Sequence, residues 1–202
     1  MIKIENLSKS YGDNIVFENL DLNLEKGEIL EIRGNSGKGK TTLKRCIAGL
    51  ENYDNGEIKV EGKVSFVFQN ERVLPWLDVM NNILTPLKLS GEKIEDDKLD
   101  EIKDIAKRFG VEKHLEKDIQ EVSGGELQRL MALRGIITDP DILILDEPFN
   151  SVDEKTRSEI YEQLRQICDL KSFSVIIASH NDDIEGFADR IMHLDDIKIK
   201  LD

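Results

Sequence analysis

Apolar and polar residues alternate at Ile2 and Ile4, around Val16 and Phe17, through Leu20, Leu22 and Leu24, and again at Ile29, Leu30 and Ile32. A repeat of two puts one side of the backbone in a core and the other in water, so short strands are predicted over 1–32. Gly12-Asp13 and Lys26-Gly27 punctuate them as turns. Residues 40–50, KTTLKRCIAGL, read as a helix. Asn55-Gly56 stands between Tyr53 and the alternating stretch Glu57 to Val60, which predicts a hairpin turn. Val64 to Phe68 predicts a further strand. The period lengthens in 78–121, where Leu99, Ile102, Ile105/Ala106 and Phe109 recur every three or four residues. That spacing predicts an amphipathic helix inside a helical insert. Beyond it, helices are expected over 125–138, 154–170 and 182–189, with strands at Ile142–Leu145 and Val175–Ala178. Solidly apolar strands alternating with helices imply a parallel sheet buried on both faces.

Composition narrows the function. The 202 residues suit one domain, and 39% hydrophobic against 34% charged residues is enough apolar material for a core. The net charge of −13 speaks against a nucleic-acid partner, which needs clustered cations. Seven acids and three bases crowd residues 92–104, the pattern of a solvated helix face. Cys46 and Cys168 are far apart and in no metal spacing, which fits a reducing compartment, with Cys46 packed in a core. The opening MIKIENLSKSYG lacks the apolar stretch of a secretory signal. Apolar runs such as Ile142–Leu145 fall far short of the roughly 20 residues that span a bilayer. The chain is therefore not expected to form a transmembrane path itself. Because it closes soon after Ile191–Leu194, no C-terminal regulatory domain is expected either.

Three short motifs carry the chemistry. Gly34-Asn35-Ser36-Gly37-Lys38-Gly39-Lys40-Thr41 matches G-x-x-x-x-G-K-[ST], follows the apolar run Ile29–Ile32 and opens the first predicted helix. Glycines let backbone N–H groups turn around phosphate oxygens, and the helix start adds partial positive charge. Lys40 is placed to bridge the β- and γ-phosphates, and the Thr41 hydroxyl to ligate Mg²⁺. Lys38 is an additional cation in the loop, and Thr42 completes the nucleotide-binding set. The competing dinucleotide fingerprint fails, because G-x-G-x-x-G from Gly37 needs glycine where Thr42 stands. Next, Asp141 to Glu147 (DILILDE) reads as a buried strand ending in two acids. Asp146 is the candidate metal ligand, and Glu147 the candidate base for an attacking water. Between the two lies Ser123-Gly124-Gly125-Glu126, a second glycine-rich turn at a helix start and a second anion site.

Two phosphate-binding turns in one chain resemble the nucleotide-binding subunit of ABC transporters. The resemblance covers nearly the whole sequence and implies an α/β fold: a P-loop NTPase (RecA-like) core with a parallel sheet, an N-terminal antiparallel β subdomain and an inserted α-helical subdomain. It implies one domain over 1–202, with 1–69 forming the β subdomain and first part of the core, 70–122 the helical subdomain, and 123–202 the signature helix and remainder. Ser123–Glu126 looks like the family's signature motif, with Glu126 where Gln is most familiar. Tyr11 stands where the family stacks an aromatic on adenine. Gln69 resembles the glutamine that approaches Mg²⁺ and the attacking water. Asn150-Ser151-Val152-Asp153 resembles the D-loop, with Ser151 replacing a small Ala and Asp153 at the nucleotide interface. His180 resembles the histidine that contacts the γ-phosphate. His114 and His193 match nothing and are taken as structural.

The resemblance implies an ATPase that binds ATP with Mg²⁺ and powers transport through a partner transmembrane permease. The signature turn of one subunit would cover the nucleotide held by the phosphate loop of another, in a head-to-tail homodimer or a heterodimer with a related subunit. That places the chain on the cytoplasmic face of the membrane, peripheral to it through the permease. Leu74-Pro75-Trp76 resembles importers of the nitrate, sulfonate and taurine type. Trp76 then either offers an apolar contact to a partner or packs inside the helical subdomain. The competing class is a soluble ABC-type ATPase acting on nucleic acid or ribosomes, for which a basic patch or a long insert is the usual sign.

Overall fold

A computed structural model of the chain describes residues 1–35, 37–69, 73–178 and 186–194. The elements run β1 (Ile2–Tyr11), β2 (Asn14–Leu24), β3 (Ile29–Arg33), α1 (Lys40–Ile47), β4 (Asn55–Val60), β5 (Val64–Val67), α2 (Val79–Ser90), α3 (Asp96–Arg108), α4 (Gly124–Ile136), β6 (Ile142–Asp146), α5 (Glu154–Lys171), β7 (Ser174–Ala178) and β8 (Arg190–His193). Strands β2, β1 and β4 form an antiparallel sheet, with β1 in the centre. Strands β5, β6, β7, β3 and β8 form a second sheet in that order, every pair parallel.

The parallel sheet is covered on both faces, which is why β6 and β7 are apolar at successive positions. Leu30, Ile32, Ile142, Ile144 and Ile176 face a core shared with α1 and the antiparallel sheet. Ile29, Leu143, Leu145, Val175 and Ile177 face the core shared with α2 to α5. The amphipathic stripe predicted for the insert is in place: Ile102, Ile105, Ala106 and Phe109 are buried along and just beyond α3. Helix α4 packs on α2 and α3 as well as on β5 and β6, so it joins the helical insert to the sheet.

Two expectations are corrected and one open alternative is decided. Asn55-Gly56 makes no hairpin turn; both residues lie in β4, paired antiparallel with β1. Gly56 sits at a register break with φ 96°, and a Cβ there would come 2.5 Å from the Asn6 carbonyl oxygen. The dipeptide serves a bulge, not a reversal. Trp76 does not pack in the helical subdomain but is 74% exposed. Of the helix expected over 182–189, residues 186–189 are turn and irregular backbone, and the rest lie outside the described residues.

Candidate active site

The first phosphate-type turn leaves the carboxyl end of β3 and enters α1. Gly37 and Gly39 have φ 82° and 92°, a region that favours glycine, and Gly39 is the last residue before the helix. A helix start leaves its first N–H groups unbonded, so this turn presents donors to an anion. Lys40 is buried, and its Nζ donates to the carbonyls of Gly34 at 2.6 Å and Asn35 at 3.2 Å. The lysine thus lies across the loop that contains it. Lys38 is exposed, and Ser36 lies outside the described residues.

Asp146 closes β6, whose carboxyl end lies at the same edge of the parallel sheet. The Thr41 hydroxyl donates to Asp146 Oδ1 at 3.3 Å, and the Nζ of Lys44, one turn into α1 from Lys40, donates to the same oxygen. Lys44 is fully buried. Burial pushes its ammonium pKa down to about 8, although the Asp146 carboxylate favours the charged form. Thr41 and Asp146 supply hard oxygen donors that suit Mg²⁺. Among the described residues no group of three His, Cys, Asp or Glu side chains would hold a metal unaided.

Glu147 follows with φ 49°, an uncommon conformation for a non-glycine residue, which turns it out of the line of β6. Its Oε2 accepts from Gln69 Nε2 at 2.5 Å and from Asn150 Nδ2 at 2.7 Å. Tyr11, Asn14, Val16, Gly37, Gly39, Lys40, Thr41, Thr42, Gln69 and Glu147 line one cavity of about 450 Å³. Tyr11 is half-exposed at its rim, with Lys9 Nζ 4.6 Å from the ring centroid. The structure thus assembles the phosphate loop, the aromatic, the glutamine and the acid around one space.

The second turn does not line that cavity. Ser123 and Glu126 form a reciprocal cap at the start of α4: Ser123 N and Oγ donate to Glu126 Oε2 at 3.0 and 2.6 Å. Those two donors hold the Glu126 carboxyl down at about 2. Buried His114, left as structural from the sequence, has its Nε2 2.9 Å from Glu126 Oε1, and burial lowers its pKa. Ser123 and Gly124 are exposed. A Cβ on Gly125 would sit 2.9 Å from the Ser151 carbonyl oxygen, so the D-loop-like segment presses on the signature-like turn. Gln128 holds that contact together, accepting from Ser151 N at 3.0 Å and donating to its Oγ at 3.2 Å. Asp153 caps α5 by accepting from Thr156 N at 3.0 Å. His180 lies outside the described residues.

Four polar residues at or near the site have roles that the motifs did not announce, although Asn150 opens the D-loop-like segment. Asn150 steers Glu147, Gln128 joins α4 to Ser151, and Lys44 pairs with Asp146. Fully buried Asn82 accepts from Leu74 N at 2.7 Å and donates to the carbonyls of Leu74, Leu77 and Asp78. It thereby fixes the loop that carries exposed Pro75 and Trp76. Lys44 left a trace in the sequence as a cation on the face of α1 that buries Leu43, Cys46 and Ile47.

A parallel sheet with a G-x-x-x-x-G-K-[ST] loop after β3, an acid pair after β6 and a second glycine-rich turn at the start of a separate helix is the arrangement of a nucleotide-hydrolysing P-loop protein. The family model described as ABC transporter matches residues 17–150, and the chain belongs to that family. It is 40% identical over 184 residues to the aliphatic sulfonates import ATP-binding protein SsuB of Bacillus cereus, covering 87% of this chain and 72% of the relative. Against the taurine import ATP-binding protein TauB of Escherichia coli O157:H7 the identity is 37% over 190 residues, with 90% and 74% covered. The fold matches the dimeric post-hydrolysis state of the ATP-binding cassette MJ0796 bound to ADP and Pi, with TM-score 0.85, 26% identity, 96% of this chain and 94% of that one. The chain is an ATP-binding, ATP-hydrolysing subunit of a transporter, and the soluble nucleic-acid or ribosome reading is set aside. No helix among the described residues is long and apolar enough to cross a membrane.

Proposed function

We propose that this chain powers an importer of the sulfonate and taurine type, docked on the cytoplasmic face of the membrane subunit, and that it works as a head-to-tail homodimer with two ATP sites. The observation that carries the reading is the single cavity in which Gly37, Gly39, Lys40, Thr41, Gln69, Glu147 and Tyr11 meet. Tyr11 stacks on the base. Loop amides from Gly34 to Thr42 and the Lys40 ammonium receive the phosphates, Lys40 exchanging its carbonyl partners for phosphate oxygens. Thr41 and Asp146 are the residues that would hold Mg²⁺, which would supply positive charge against the phosphates. Glu147 takes the proton of the attacking water, held in orientation by Gln69 and Asn150. His180 completes the γ-phosphate contacts by resemblance.

Exposed Ser123 and Gly124, outside the cavity of their own chain, are available to the nucleotide of a second copy. Gln128 then links that turn to Ser151 in the D-loop-like segment, giving each site a route to the other. Both half-sites are present in this sequence, which supports a homodimer. The relatives named for sulfonate and taurine import, and the loop that carries exposed Pro75 and Trp76, support the importer assignment.

Glu147→Gln tests the site directly. Steady-state hydrolysis should fall by about 10²–10⁴-fold while ATP still binds, and near wild-type turnover would reject Glu147 as the base. Lys40→Ala should abolish ATP binding by calorimetry, and unchanged affinity would reject the loop assignment.

A further inference from the structure

Lys44 takes no part in the proposed mechanism, although it touches one of the residues that does. It is fully buried on α1, among Leu43, Cys46 and Ile47, and its Nζ donates to Asp146 Oδ1. A charged amine is costly to bury unless a partner offsets it, and an apolar side chain would fill the position at lower cost. The oxygen it holds is the one that Thr41 Oγ1 also donates to, at 3.3 Å. The ammonium therefore faces the place between Thr41 and Asp146 where a divalent ion would sit. Lys40 adds a second positive charge nearby, bonded to the Gly34 and Asn35 carbonyls.

We propose that Lys44 is a built-in counter-ion for Asp146: its ammonium stands in for the divalent cation in the nucleotide-free protein, keeps the carboxylate aimed at Thr41, and refuses free metal until phosphates bring their own negative charge. The inference rests on Asp146 being a metal ligand. A like charge a few ångströms from a divalent ion lowers its binding constant steeply in a site closed to water. Phosphates of a bound nucleotide reverse the balance by adding negative charge on the other side of the ion. The site then accepts metal together with nucleotide and does not hold it beforehand.

The probe is Mn²⁺, with its free fraction read by electron paramagnetic resonance in the presence of the full chain and no nucleotide. Lys44→Met should bind Mn²⁺ on the order of tenfold or more tighter than wild type, with the two proteins closer in affinity once ADP is saturating. Unchanged or weaker nucleotide-free binding in Lys44→Met overturns the inference. Should that variant fail to fold, Lys44→Gln, which keeps a donor to Asp146 without the charge, is held to the same expectation. Asp146→Asn separates the underlying reading: with ADP present it should weaken Mn²⁺ binding, and if it does not, Asp146 is no ligand and the premise fails whatever the Lys44 variants do.

Discussion

At the residue scale, charge sits where one or two hydrogen bonds decide its state. Glu126 is the clearest case. Ser123 N and Oγ donate to its carboxylate, buried His114 and the side chain of Arg129 face it, and its pKa falls from the ordinary 4.5 to about 2. A folded pKa below the unfolded one means the cap contributes stability fully above about pH 4.5 and loses it as pH falls toward 2. Comparing thermal melts of wild type and Glu126→Gln, the wild-type advantage at pH 7 should shrink steadily as pH falls from about 4.5 toward 2. A constant gap across that range would show that the Ser123 cap does not hold the carboxyl charged. The phosphate loop, the acid pair and the second turn were legible in the sequence because each is local, with its residues adjacent in the chain. Lys44 with Asp146, Gln128 with Ser151 and Asn82 with Leu74 were not, because each pair exists only after the strands and helices have packed.

At the element scale, the period of apolar residues located most helices and strands, though it gave α2 only as part of a helical insert and did not single out β8, and it failed where tertiary packing overrode a local preference. Asn55-Gly56 has the composition of a tight reversal, yet pairing of β4 with the centre strand β1 uses it as a bulge. Trp76 has the bulk of a core residue, yet Asn82 pins its loop at the surface. The helical insert itself behaves as the repeat predicts. Ile105 on α3 is 3% exposed in the core shared with α2 and α4. Ile105→Ala should cost about 2–5 kcal/mol in denaturant unfolding. A change under about 0.5 kcal/mol would mean that the insert is not packed through this face. Lys171 pairs with Glu101 and Asp139, and so does Lys98, tying α3 to α5 and to the turn before β6. The insert is thus joined to the rest of the chain by charge as well as by packing.

At the scale of the whole molecule, the chain carries two glycine-rich turns at helix starts, and only the first lines the cavity. The proposed head-to-tail pairing would bring the exposed Ser123 of one protomer over the nucleotide of the other. In that proposal ATP joins the protomers and hydrolysis releases them, a ligand-driven shift between open and closed states that a membrane partner would convert into transport. Exposed Trp76 and the loop that Asn82 fixes lie close in sequence to Gln69, which reaches Glu147, so a partner seated there would be one short segment from the proposed base. The most direct measurement is analytical ultracentrifugation of Glu147→Gln with and without ATP. A monomer is expected without nucleotide, and a dimer holding two ATP when it is added; a protein that binds ATP yet sediments as a monomer at every concentration would contradict the head-to-tail pairing.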